Sequence, residues 1–459
     1  MEFTSNLFVI FVVFFFCLYF LIDRYTEDMG IRNGYIAWMS LFFYAVWYPP
    51  ALILVLLHSV MARYGGLWIE RREHKKLPLA VVVSISIGIL AFFKYCNFFL
   101  EAASLTQYRL DIILPLGISF YTFTVIGYYV DLYRKEVPAV DSVTDAALFI
   151  TFWPHLASGP ILRADNIFHN MQQREPLTLR NVTLALVLVG TGVVKKILIA
   201  DNIGAYVNWN LSFGVKNMNI LECWSVVTGF AAQIYADFSG YSDMAIGFAL
   251  LMGFRLPANF NYPYRSTSLT EFWRRWHMSL SFWFRDYLYF PLGGNRKGKF
   301  RMHLNILIVF VLSGLWHGAA YNFIIWGALH GAVLVIEKVF ERVYFRIHGS
   351  IRWVITFIIV MVAWAFFRLD HTTAFTLVPK LFGLNGSLSF GFGPPYNIIP
   401  VFLLLLLPAA DHLLRFYRVS DEGFPEPNNS FVTIAALAVL IPAAVFFWGK
   451  PLPFIYFKF

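Results

Sequence analysis

Charge is scarce in this chain: Asp, Glu, Lys and Arg make up 14% of its 459 residues, against 59% for the apolar types. With a mean hydropathy of +0.62, that balance excludes an ordinary soluble globular protein. Cysteine is scarcer still. Cys17, Cys96 and Cys223 lie far apart, in or beside apolar segments, so they read as packing residues, with neither a disulfide nor a metal among them. Nucleotide-binding loops are lacking too: PLGGNRKGK and GLWHGAAYNF match neither a phosphate-binding loop nor a dinucleotide fingerprint. There is no internal repeat and no hydrophilic stretch long enough for a soluble domain, which leaves one membrane domain over 1–459, all-α and polytopic.

What is abundant is apolar sequence in blocks long enough to cross a hydrocarbon core, for example 7–22, 79–100, 352–368, 395–410 and 431–448. At roughly 20 residues per crossing they predict about ten to twelve spanning helices. The first block has no basic segment before it and no small-residue cleavage site, so a retained span is expected there rather than a signal peptide. Two places resist simple counting. Block 146–157 is too short to span, and Pro49-Pro50 interrupts 35–60; short, re-entrant and interfacial helices packed inside protein account for both.

The net charge of +9 suggests nucleic acid only at first sight. Lys and Arg fall in short connections, at 61–76, 132–137, 163–180, 194–196, 255–275, 285–303 and 342–352, whereas 370–394 is Gly- and Ser-rich with few charges. Positive-inside topology explains this distribution without a nucleic-acid partner: the basic connections face the cytoplasm and 370–394 faces outside.

The chemistry-bearing residues concentrate in 235–331. His317 lies in an apolar run from Leu304 to Ile336, which as one helix would be roughly 50 Å long. A break near Gly314 and Gly318 makes two helices and puts His317 near membrane depth. On its residues alone His317 reads equally well as a proton acceptor or as a hydrogen-bonding partner of a neighbouring helix. His277, in EFWRRWHMSLSFWFRDYLYF, sits among aromatics and Arg274, Arg275, Arg285 and Asp286, a mixture that favours a surface histidine on an interfacial or partly re-entrant helix. The cluster Asp237, Ser239, Tyr241, Ser242 and Asp243 interrupts two apolar stretches and must face a cavity or other helices. A structural network is at least as good a reading as substrate contact. Arg296, Lys297, Lys299 and Arg301 suit either the phosphates of a coenzyme A donor or, by preference, a lipid-anchoring cytoplasmic loop.

DFSGYSDMAIG, EFWRRWHMSLSFWFRDYLYFPLGGN and SGLWHGA resemble the membrane-bound O-acyltransferase family in its bacterial alginate O-acetyltransferase branch. LPLGISFYTF, FWPHLASGPILR and the terminal FIYFKF extend the resemblance over nearly the whole chain. It implies helices around a central tunnel or funnel, with His317 as the essential catalytic histidine and His277 as the second signature position of the active site. Trp316, Arg285, Tyr241 and Asp243 complete the expected substrate-contacting set. It further implies an acetyltransferase of the bacterial inner membrane that binds no permanent cofactor and no metal, takes acetyl from acetyl-CoA at the cytoplasmic side, and serves an extracytoplasmic polysaccharide through an acyl-accepting partner protein. Membrane lipids are the remaining expected partners.

Two other functions fit less well. A teichoic-acid-type D-alanyl transferase would keep the fold and use a carrier-protein thioester, but the long motifs match the alginate branch. A transporter would use His317 and the Asp237 to Asp243 cluster as a proton path, but transporters tend to carry repeats.

Overall fold

The computed structural model describes residues 3–156, 159–384, 417–427, 438–444 and 452–454. Block 395–410, and all of block 431–448 except 438–444, fall outside the described residues. Among the described residues the chain is helical apart from one antiparallel pair, Tyr417–Val419 with Pro425–Pro427. Seven helical segments among the described residues are long and apolar enough to cross a membrane: Asn6–Tyr25, Pro49–Arg71, Lys76–Ala102, Leu179–Ser212, Gly298–His317, Tyr321–Val339 and Gly349–Arg368.

The described chain forms two compact units, one of residues 1–189 and 241–257, the other of residues 190–240 and 258–459. In the first, the helix Asn6–Tyr25 starts where the Ser5 hydroxyl accepts a hydrogen bond from Phe8 N, satisfying one of the amides that a helix start leaves open. Phe8, Phe11, Phe15 and Tyr19 recur at three- and four-residue spacing and are buried, whereas Ile10, Val13 and Phe14 are exposed. An exposed face this apolar belongs against lipid, because its backbone is satisfied within the helix. The buried face packs Phe15 on Trp153 at 5.4 Å and ties the Tyr19 hydroxyl to the Met252 carbonyl at 2.8 Å. Pro49-Pro50 separates two helices, Met29–Trp47 and Leu52–Arg71, through a single 3₁₀ turn. The short block resolves into Val143–Thr151 and Trp153–Leu156.

In the second unit, Gly298–His317 and Tyr321–Val339 are neighbours that cross at van der Waals contact of their backbones. A Cβ on Gly314 would stand 2.1 Å from the Phe323 carbonyl oxygen, and one on Gly327 would stand 2.2 Å from that of Phe310. Only glycine allows this approach. The expected break falls at Gly318, an extended residue that ends the first helix, while Gly314 stays helical. His317 is therefore the last helical residue before the turn.

Candidate active site

Two short helices, Leu269–Arg275 and Met278–Phe284, flank His277. Ser268 caps the first by accepting from Glu271 N at 3.0 Å. The buried Glu337 carboxylate accepts from Leu269 N at 2.8 Å and Thr270 N at 3.3 Å. With its start fixed in this way, the helix turns Arg274 outward and pairs Arg275 with Glu271 at 2.9 Å, while Phe272, Trp273 and Trp276 are buried.

His277 forms the corner between these helices with φ 43° and ψ 54°. A side chain other than glycine rarely adopts this left-handed conformation, and where it is held there the surroundings must impose it. They do so through residues 259–261: Met278 N donates to the Asn259 carbonyl at 2.9 Å and Asn261 N donates to the Arg275 carbonyl at 2.9 Å. The imidazole is 0% exposed. Its Nδ1 lies 3.1 Å from Asn259 Oδ1, and Nε2 has no hydrogen-bond partner among the described residues. Burial lowers its pKa to about 3, which keeps the ring neutral. The surface location that the neighbouring arginines favoured is therefore corrected: those charges turn away and the histidine turns in.

His317 is 3% exposed and lies among aromatics, with ring centres of Trp316, Trp326 and Phe367 at 4.9, 5.1 and 5.2 Å. The two histidine rings are 6.5 Å apart, and Trp316 is 6.1 Å from His277. Phe238 stands edge-on to His277 at 4.7 Å. The structure thus brings His277, His317 and Trp316 into one aromatic enclosure.

Beside this enclosure is a cavity of about 380 Å³ whose lining is mainly apolar and includes Trp273, Leu280, Phe284 and Val309. Ser281 and Ser313, also on its wall, are each four residues from a histidine, His277 and His317 respectively, so they lie one helical turn away. Its cations are Arg274, Arg285 and Lys338. Arg285 opens a π-helical turn, pairs with Asp286 at 2.6 Å and lies over the Phe282 ring. Arg296, Lys297 and Lys299 are exposed and do not line this cavity.

Tyr241 and Asp243 belong to the other unit, where both are buried and the Tyr241 ring stacks on Phe3 at 4.1 Å. Asp237, from the same sequence cluster, binds Lys196 at 3.0 Å; Lys196 also binds Asp201 at 2.7 Å and the Leu452 carbonyl at 2.7 Å. This ion cluster is the network reading of that stretch. Sequence reasoning missed three residues near the histidines. Asn259 reads as a loop residue within RLPANFNYPY. Trp326 and His330 read as part of the apolar run, yet the Trp273 indole donates to His330 Nδ1 at 3.3 Å and both rings pack on Trp326. The one available signal was their spacing: Trp326 and His330 are four apart, on one helical face.

A family model described as MBOAT, membrane-bound O-acyltransferase family, matches residues 71–377. The chain belongs to the membrane-bound O-acyltransferase family. It is 40% identical over 388 residues to the probable alginate O-acetylase AlgI of Pseudomonas aeruginosa, covering 81% of this chain and 72% of that protein. With the probable alginate O-acetylase AlgI of Azotobacter vinelandii it shares 38% identity over 512 residues, covering 100% of both. The peptidoglycan O-acetyltransferase of Helicobacter pylori is 33% identical over 406 residues, covering 80% of this chain and 77% of that one. As a member of the membrane-bound O-acyltransferases, the protein is a multi-pass membrane acyltransferase, and the matched region contains both histidines and the cavity.

Proposed function

We propose that this acyltransferase works in the bacterial inner membrane, takes acetyl from acetyl-CoA at the cytoplasmic side and delivers it, through an acyl-accepting partner protein, to hydroxyls of an extracytoplasmic polysaccharide such as alginate. The observation that carries this reading is the cavity: an apolar wall with Arg274, Arg285 and Lys338, and both histidines one turn beyond it. An apolar channel suits a pantetheine arm and its acetyl thioester, and guanidinium and ammonium groups suit the donor's phosphates. The names of the relatives, two alginate O-acetylases and a peptidoglycan O-acetyltransferase, support acetyl as the group and glycan as its destination.

The chemistry is an exchange of a thioester for an oxygen ester. The attacking hydroxyl oxygen bonds to the carbonyl carbon while its proton passes to His317. The C–S bond then breaks, and the leaving thiolate takes that proton from the imidazolium, which restores the neutral base. Charge on the carbonyl oxygen needs a donor, and the buried Trp326 indole N–H, which has no partner among the described residues, is available for that role.

The test is to give the purified protein radiolabelled acetyl-CoA or an acetylated carrier protein and to follow release or transfer of acetyl. Acetyl-CoA is the expected donor; reaction with the carrier thioester alone would replace it by the teichoic-acid type of donor. Adding an acyl-accepting partner protein should be needed for acetate to reach polymer, and full polymer acetylation by this chain alone would rule that partner out.

A further inference from the structure

The Asn259 carboxamide decides which nitrogen of His277 carries its proton. Three groups converge on Asn259 Oδ1: His277 Nδ1 at 3.1 Å, Ser279 N at 3.3 Å and the Ser279 hydroxyl at 2.9 Å. A backbone N–H can only donate. The carboxamide atom facing Ser279 N must therefore be the oxygen, because its NH₂ in that place would set donor against donor. An oxygen facing the imidazole then requires a proton on Nδ1. In a neutral ring that leaves Nε2 bare, and this buried atom has no hydrogen-bond partner among the described residues.

We infer that Asn259 is a positioning residue of the acyl-transfer site, holding His277 as the Nδ1–H tautomer so that Nε2 is presented as a buried proton acceptor beside His317. Several features of the turn serve this arrangement. The left-handed backbone at His277 directs the ring toward Asn259, and the Asn259 carbonyl holds the next residue through Met278 N. Ser279 adds two donors that keep the carboxamide from rotating. The chemical consequence rests on the acetyl-transfer reading above. An acceptor next to His317 can share the proton that His317 removes from the hydroxyl, and so favours the charged intermediate; the opposite tautomer would present a second N–H and oppose it.

The tautomer itself does not depend on that reading and is measured directly. In ¹⁵N-histidine-labelled protein in lipid nanodiscs, the His277 signal is assigned by subtracting the spectrum of His277→Gln. The expected wild-type signal has Nδ1 protonated and Nε2 bare, and it should persist in Asn259→Asp, which keeps the acceptor. In Asn259→Leu it should shift toward the other tautomer. Transfer from acetyl-CoA should fall on the order of 10²-fold in kcat for Asn259→Leu, with KM changed little, and stay within about tenfold of wild type for Asn259→Asp. Protonated Nε2 in the wild type overturns the inference, whether or not the variants accumulate. So does wild-type kcat in Asn259→Leu at normal abundance. A wild type that shows the expected tautomer but transfers no acetyl would instead count against the proposed function alone.

Discussion

Two buried polar groups of the second unit have opposite characters. Around Lys196, the ammonium is met three times: by Asp201 at 2.7 Å, Asp237 at 3.0 Å and the Leu452 carbonyl at 2.7 Å. Around His277, one side of the ring is answered by Asn259 and the other side, Nε2, within an aromatic enclosure, has no partner among the described residues. A buried polar atom without a partner costs free energy, so a fold keeps one where a ligand or a reaction supplies the partner. The comparison separates a brace from a site. The first group holds segments distant in sequence, 196–201, 237 and 452, and the second is the one that the proposed function assigns to substrate.

Substitutions can break this contrast from either side. The largest effect is expected at His317. His317→Ala removes the base from the end of its helix and should lower acyl transfer by about 10²–10⁴-fold, with membrane abundance near wild type; polymer acetate and immunoblots of membranes check it. On the other side, Lys196→Met leaves two aspartates facing each other in a buried place, and breaking such a cluster costs about 3–5 kcal/mol. Its signature is lost protein: reduced abundance and a lower thermal midpoint in detergent, with normal turnover per remaining molecule.

The next effect is smaller. His277→Ala should impair transfer less than His317→Ala and leave a measurable residual rate, since it removes an acceptor beside the base rather than the base itself. Single-turnover assays with labelled acetyl-CoA resolve the two. Smallest of the four is Trp326→Phe, which keeps the aromatic packing on His317 and removes only the indole N–H. A loss of about 10-fold or more in kcat with unchanged KM is expected if that donor meets the carbonyl oxygen, and wild-type kcat would assign Trp326 to packing alone.

Much of the helical plan was legible because a membrane imposes long apolar runs. The blocks at 7–22, 79–100 and 352–368 correspond to helices Asn6–Tyr25, Lys76–Ala102 and Gly349–Arg368. Pro49-Pro50 and Gly318 marked real ends, since proline removes a donor and the extended Gly318 stops its helix. The burial of His317 was legible for the same reason: an ionisable residue in an apolar run is conspicuous. The environment of His277 was not. Its neighbours Arg274, Arg275 and Arg285 argue for a surface, and only the two seven-residue helices, which turn those arginines outward or pair them with Glu271 and Asp286, reverse that reading. Asn259 was hidden more deeply, because its partners His277 and Ser279 lie 18 and 20 residues away and nothing in RLPANFNYPY marks a loop carboxamide as different from any other. The split of the polar cluster was equally invisible: Asp237 joins the Lys196 group, whereas Tyr241 and Asp243 are buried in the other unit.

The most direct test of the contrast is one number for each of two variants: acetyl transferred per molecule of protein present in the membrane, for His317→Ala and for Lys196→Met. On this scale His317→Ala should fall by about 10²-fold or more, while Lys196→Met should stay near wild type because its losses are losses of protein. Equal values for the two variants, or a normal value for His317→Ala, would contradict the division into brace and site.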